Sequence, residues 1–246
     1  MGKEETKIIQ INIIGYSALS LSQENHLIEF TDELGKFGLE IISPSLESIN
    51  MEIFKKMTSA ALNLVISHEG LGLAQYMKKN YAIPFMMHVP VGLWGMRQLI
   101  KVLAEIAGDP LILVSQRKYL PNSIPQSEQK AVVIGEPLLA SCIGACLSHD
   151  FGIKKVKTAS LLGNIKGNKV YQEKAFSNIL FLDNESVLAQ WIDRVQPDIM
   201  IGDPSYQRLL GFGSDGVHCE LIGKRGHNYL ASLITSISVK TNCIAM

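Results

Sequence analysis

Residues 60–95, AALNLVISHEGLGLAQYMKKNYAIPFMMHVPVGLWG, constrain the fold of this chain more than any other stretch. The tract reads as a strand (62–66), a polar glycine-bearing turn (67–70), a helix (71–80), a strand (83–88) and a turn into a further helix. Its strand cores are short apolar runs without strict alternation, the pattern of a parallel sheet covered by helices on both faces. Two loops, Ser67-His68-Glu69-Gly70 and Val89-Pro90-Val91-Gly92, then open on one edge of that sheet. Ligands of open α/β sheets sit at the carboxyl edge of the strands, so a chemical site is expected there first.

The alternation extends in both directions. IIQINII at 8–14 is a β-branched strand ending at Gly15. Ser22 is an N-cap for a helix whose stripe is Leu27, Phe30 and Leu34, with Gly35 or Gly38 as its stop. Residues 39–42 form a second strand, and Ser45 or Ser48 caps a short helix carrying Ile49, Ile53 and Met57. Beyond residue 88, LWGMRQLIKVLAEIA at 93–107 has helical spacing and stops at Gly108-Asp109-Pro110. Short connections and right-handed crossovers would build one small parallel sheet from these pieces. Residues 111–115 either close this domain or prolong its last helix.

A polar segment with two prolines, QRKYLPNSIPQSEQK at 116–130, is the best boundary in the chain. The expected organisation is a first domain at 1–115, a linker at 116–129 and a second domain at 130–246. In the second half KAVVIG (130–135) is a strand, Glu136-Pro137 opens the helix that follows, and Gly152 ends it. Strands at 155–162, 179–182, 197–201 and 217–222 follow, with a glycine-rich turn at 163–169. Asn184 or Asp183 caps the helix ESVLAQWIDRV, and a helix at 228–237 closes the chain. The fold class is α/β: two Rossmann-like domains with mainly parallel sheets, three-layer α/β/α, facing a cleft that is the default site.

Composition excludes several classes. Lys plus Arg and Asp plus Glu both number 23, so no net field draws the chain to nucleic acid or to an anionic membrane. With no secretory leader and no long apolar span, a soluble cytoplasmic protein is expected. The cysteines Cys142, Cys146, Cys219 and Cys243 contain no CxxC pair, which argues against zinc and against a self-contained iron–sulfur cluster. INIIGYSALS lacks the second and third glycines of a dinucleotide fingerprint, Gly70 and Gly72 give only GxG, and no GxxxxGK[ST] phosphate loop occurs.

The order of motifs resembles the nitrogenase component 1 type oxidoreductases, a family that includes molybdenum–iron protein subunits, cofactor-assembly scaffolds and nitrogenase-like tetrapyrrole reductases. The matching pieces are INIIG, LNLVIS with HEGLGLAQYMKKNYAIPF, and PVGLWGMRQLIKVLAEIAGD. In the second half they are KAVVIGEPLLASCIGACLSHDFGIKKV, VQPDIMIGDPSYQRLL and GHNYLASLITSI. The resemblance implies the second and third domains of such a protein without the N-terminal cluster-binding domain, as an excised piece or a truncated product. It also implies an iron–sulfur or iron–molybdenum-type metallocluster in the intact protein, and an oligomer with itself or with a related component 1 subunit. An ATP-dependent iron–sulfur reductase would deliver electrons, with no nucleic acid and no membrane involved. The alternatives are a non-catalytic cofactor-binding scaffold and a structural partner subunit.

The same resemblance places Ser67 at or next to the cysteine that holds the iron–molybdenum cofactor, and a hydroxyl is a poor substitute for a soft thiolate on iron. The second family ligand, a histidine before the closing helix, is not equated with His227, which falls inside the start of that helix. His68 is suited to ligate a metal, move a proton or meet a tetrapyrrole carboxylate. Glu69 either orients that imidazole or caps the helix. His88 ends the next strand near the same edge, and is either a convergent site residue or a partly buried histidine bonded to a carbonyl. Gly92 reads as a backbone requirement at a helix start and Gly135 as the turn after the first strand of the second domain. Asp203 and Ser205 belong to a loop able to aim a carboxylate and backbone amides at a ligand. Lys224, Arg225 and His227 make a small cationic cluster. Cys142 and Cys146, four apart on one helix face, offer two thiolates to a metal or two small apolar groups to a core, and the Leu, Ile and Ala around them favour the core. No catalytic nucleophile stands out: GFGSDG at 211–216 is not a GxSxG elbow.

Overall fold

The structure is a computed structural model that describes residues 9–15, 31–32, 34–35, 39–43, 50–108, 111–121, 123–124, 126–162, 176–202, 215–216 and 221–244. The chain divides into two compact units, Met1–His88 with Leu99–Arg117, and Val89–Gln98 with Lys118–Met246.

In the first unit β1 (Ile9–Ile14), β2 (Leu39–Ser43), α1 (Met51–Met57), β3 (Leu62–Val65), a 3₁₀ turn (His68–Gly70), α2 (Leu71–Tyr81) and β4 (Phe85–Met87) alternate as expected. Every pairing is parallel and the strand order is β2-β1-β3-β4. Asn50, rather than Ser45 or Ser48, caps α1: its side chain accepts from the Ile53 amide at 2.9 Å. Ser45, Ser48 and Ile49, like Ser22, Leu27 and Phe30 of the earlier helix, lie outside the described residues. β4 is shorter than the expected 83–88: its register with β3 runs from Phe85 to Met87, with Pro84 and His88 bonded to β3 at its two ends. Ile14, Met57, Val65, Ala74, Met77 and Ile83 form a buried cluster. Register is fixed inside the sheet by polar groups. Asn12 and Asn63 face each other across β1 and β3, and Asn12 Nδ2 donates to Asn63 Oδ1 (2.8 Å) and to the Met57 carbonyl (2.9 Å). A one-residue slip would bury both amides without partners.

Helix α3 (Gly92–Ala107) carries the division between the units, and a short α4 (Leu111–Val114) leads into a 3₁₀ turn, Ser115–Tyr119. Residues 111–114 are thus a helix of their own. The second unit contains β5 (Ser127–Ile134), α5 (Pro137–Phe151), β6 (Ile153–Ser160), β7 (Ile179–Phe181), α6 (Glu185–Val195), β8 (Ile199–Gly202), β9 (Asp215–Gly216) and α7 (Gly223–Ile244). Its order is β7-β6-β5-β8-β9, again parallel throughout. β5 starts at Ser127, before the expected residue 130, because its alternating polar stretch still ladders with β6. The turn expected at 163–169, and most of the strand expected at 217–222, lie outside the described residues. Ile222 itself makes isolated bridges to Val91 and Gly92. α6 is capped by Asn184, whose Oδ1 accepts from the Val187 amide at 3.0 Å. α6 packs Leu188 and Ile192 on Val132, Ile134, Ala159 and Met200.

Candidate functional site

Both sheets reverse strand order at one place, between β1 and β3 in the first unit and between β5 and β8 in the second. The crevice beyond the strand ends at such a point is where doubly wound sheets accept ligands.

In the first unit this edge is made by Gly15 after β1 and by Ser67 to Gly70 after β3. The two turns touch. Gly15 has φ +88°, and a Cβ there would lie 2.7 Å from Ser67 Oγ; a Cβ on Gly70 would lie 2.8 Å from the Gly15 nitrogen. Both glycines are required, Gly15 by its left-handed backbone and both by close approach. Ser67 is extended and buried, and its Oγ has no hydrogen-bond partner among the described residues. A buried hydroxyl left unpaired costs on the order of 1–3 kcal/mol. His68 is half-buried and Glu69 exposed, both in the 3₁₀ turn that leads into α2. Gly70, the N-cap of α2, has no side chain to close that helix start. His88 follows β4 and is buried, and its amide donates to the Val65 carbonyl at 2.9 Å. The parallel register of β3 and β4 sets it at the same carboxyl edge as Ser67 and His68.

In the second unit the corresponding turn is closed by the chain itself. Gly135 has nothing within 4 Å of a Cβ, but the next residue, Glu136, is the N-cap of α5 and its carboxylate accepts from the Leu139 amide at 2.8 Å. An internal anion thus occupies the helix start where a phosphate would otherwise sit. Asp203 and Ser205, which follow β8 in sequence, lie outside the described residues.

A second gathering of polar groups surrounds Asp150, which the residue patterns did not single out. This carboxylate is wholly buried in the last turn of α5. It accepts from the Leu93 amide (2.7 Å) and the Trp94 amide (3.0 Å), closing the start of α3 from a distance in sequence. Arg97 stands 3.6 Å away and His227 Nδ1 3.7 Å away. Cys146 donates its thiol hydrogen to Asp150 Oδ2 at 3.3 Å. Two ring stacks flank the carboxylate, Trp94 on His149 (4.8 Å) and Phe151 on His227 (4.7 Å). Gly92, with φ +62°, lies where a Cβ would overlap Cys146. Gly92 and His227 therefore meet at one node, with Asp150 between them. One signal could have flagged Asp150. An acidic residue in a helix's last turn opposes the helix dipole and needs an outside partner.

Both thiols, four apart on α5, are buried. Burial pushes Cys142 up to about 12, and burial with the neighbouring Asp150 carboxylate pushes Cys146 up as well. Thiolates, the form that binds metals, are thus disfavoured. Among the described residues no three His, Cys, Asp or Glu side chains are grouped to hold a metal ion. Ser67 adds only a hard hydroxyl to His68. The described residues do not fit an iron–sulfur or iron–molybdenum cluster. Lys224 and Arg225 are exposed beside His227 at the start of α7.

A pair of parallel, doubly wound sheets defines a broad class, and comparison with known proteins narrows it. The family described as "Nitrogenase component 1 type Oxidoreductase" matches residues 1–211, and the chain belongs to that family. It is similar to a light-independent protochlorophyllide reductase subunit from Crocosphaera subtropica, with 23% identity over 219 residues, covering 82% of this chain and 43% of that protein. The corresponding reductase subunit from Mesostigma viride is 24% identical over 257 residues, covering 91% of this chain and 50% of its own length. A solved structure, "Nitrogenase Cp1 at pH 5", shares the fold with a TM-score of 0.66 at 16% identity, covering 96% of this chain and 57% of that one. The chain thus spans about half the length of the curated relatives it matches. Among the described residues no helix is long and apolar enough to cross a membrane.

Proposed function

We propose that this chain supplies two α/β units of a nitrogenase-like reductase subunit, and that the β3 edge of the first unit contacts the organic substrate, a tetrapyrrole carboxylate. The observation that carries this reading is the chemistry of that edge. A buried hydroxyl without a partner and an imidazole, both able to donate a hydrogen bond, stand side by side where the strand order reverses. Such a set suits an anionic oxygen better than a metallocluster, and the related proteins named above are protochlorophyllide reductases. His68 would donate to the carboxylate, Ser67 would find its missing partner, and Glu69 would orient the imidazole. In the assembled reductase a related subunit completes the oligomer and an ATP-dependent iron–sulfur protein supplies electrons.

Anaerobic absorption titration of the full chain with protochlorophyllide tests the assignment. A saturable band shift is expected, weakened about tenfold in His68→Ala and less in Ser67→Ala, as for loss of one charge-assisted or neutral hydrogen bond. A titration that does not saturate, or one identical in both variants, rejects it.

A second reading is a non-catalytic partner subunit, since among the described residues no three His, Cys, Asp or Glu side chains gather to hold a metal ion. Stable co-purification with a complete component 1 subunit, without any ligand-dependent spectrum, would select it.

A further inference from the structure

The face of α5 that carries Cys142, Cys146 and Asp150 is a single stripe, each residue four positions from the last. Residues 89–98 of the second unit lie along it. At one end the Val89 amide donates to Cys142 Sγ at 3.4 Å. In the middle Gly92 sits directly over Cys146, with no room there for even one additional carbon. Beyond it the Leu93 and Trp94 amides are held by Asp150. The other side of this segment is pinned to the chain before α7, through Gly92 N–H to the Leu221 carbonyl (3.0 Å) and Gly223 N–H to the Pro90 carbonyl (3.1 Å).

Two consequences follow from contact this close. While the segment is docked both sulfurs are buried, so no electrophile reaches them. Once an atom is added to Cys146 Sγ, Gly92 cannot return to its place, because interiors packed at this density have no spare volume.

We infer that residues 89–98 form a strap whose docking and the modification of Cys146 exclude one another, so that the stripe on α5 acts as a thiol-sensitive latch. The inference stands whatever the β3 edge binds. Local opening exposes Cys146, as sub-global openings do for other buried groups. An alkyl halide is then attacked by the thiolate, the C–S bond forming as carbon–halogen breaks and halide leaves, with the thiol proton going to solvent. A hydroperoxide acts likewise. The S–O bond forms as O–O breaks, water or an alcohol departs, and a sulfenic acid remains. Either product holds the strap away from α5.

The test uses the full chain. Iodoacetamide labelling is followed at each cysteine by peptide mass spectrometry, and amide exchange is read over residues 89–98 and over β5 and β6. In the native chain Cys142 and Cys146 should label at least about a hundredfold slower than in urea. Gly92→Ala and Asp150→Asn should each raise both rates about tenfold or more, with β5 and β6 still protected. If Asp150→Asn does not fold, Gly92→Ala and the alkylated native chain still give the answer. Protein carboxamidomethylated at Cys146 should lose exchange protection over 89–98 and keep it in β5 and β6. In Cys146→Ser, brief treatment with hydrogen peroxide should leave the strap protected. Modified Cys146 with an intact strap overturns the inference. So does protection lost equally across β5 and β6, or strap loss in peroxide-treated Cys146→Ser.

Discussion

At the end of β1, Gly15 is pressed against the turn after β3; at the end of β5, Gly135 stands clear of its surroundings. The helices that start at these two edges differ in the same way. α2 begins at Gly70 with no side-chain cap and buries one stripe, Leu71, Ala74 and Met77. α5 begins under the Glu136 carboxylate and is buried on several sides, ending with Asp150 inside the unit. The same parallel topology therefore serves two purposes. In the first unit the sheet edge buries the Ser67 hydroxyl without a partner beside a helix that has no side-chain cap. In the second the chain supplies its own anions at both ends of α5 and uses that helix to hold residues 89–98.

The comparison can be broken most sharply at its glycines. Gly70→Ala sets a methyl against the Gly15 backbone, which cannot yield as a flexible side chain could. A loss of about 2–4 kcal/mol is expected in urea unfolding. Gly135→Ala meets open space and should stay within about 0.5 kcal/mol. Equal losses at both positions would end the distinction between the two edges.

Next in size is an alkaline effect confined to α5. Both thiols are raised by burial above the ordinary value of 9.0, Cys142 to about 12. Above pH 9 the unfolded chain releases thiol protons that the folded chain retains, so stability falls as pH rises from about 9 toward 12. It is fully present below pH 9. The slope contributed by each such thiol approaches roughly 1.4 kcal/mol per pH unit. Subtracting the profile of Cys142→Ala isolates its share; coincident profiles would refute the burial argument.

The helix ends give smaller effects. α5 stops at Gly152 with φ +65°, whereas α2 stops at Ala82 with φ +57°. Left-handed backbone costs a non-glycine residue about 1–2 kcal/mol. Gly152→Ala should therefore destabilise by about that amount, and Ala82→Gly should stabilise by somewhat less, since glycine loses more entropy on folding. Glu136→Ala removes the N-cap of α5 and should cost about 1 kcal/mol, also read by urea unfolding. A negligible loss there would mean that the Glu136 carboxylate does not cap α5.

Several of these features are legible along the chain. Asn184 before ESVLAQWIDRV, Glu136-Pro137 before an apolar run and Gly152 after it act within a few residues, so spacing alone reveals them. The alternation of strands and helices is equally readable, because burial on both faces imposes its own residue pattern. The Asp150 node is not. Its partners Trp94 and His227 lie far from it in sequence, and nothing local marks their meeting. Spacing marks Cys142 and Cys146 as core or metal residues, yet it cannot name what covers the face they share. The cap of α1 departs from expectation for a simpler reason: serine and asparagine cap alike, and only the backbone shows which turns first.

Sequence by itself determined the α/β class, the parallel sheets and the family, because periodicity, turn chemistry and motif order are properties of neighbouring residues. Tertiary structure alone decided which turns press together, which thiols are sealed and which carboxylate holds the start of α3. Those are matters of contact at a few ångströms between residues that the chain keeps far apart.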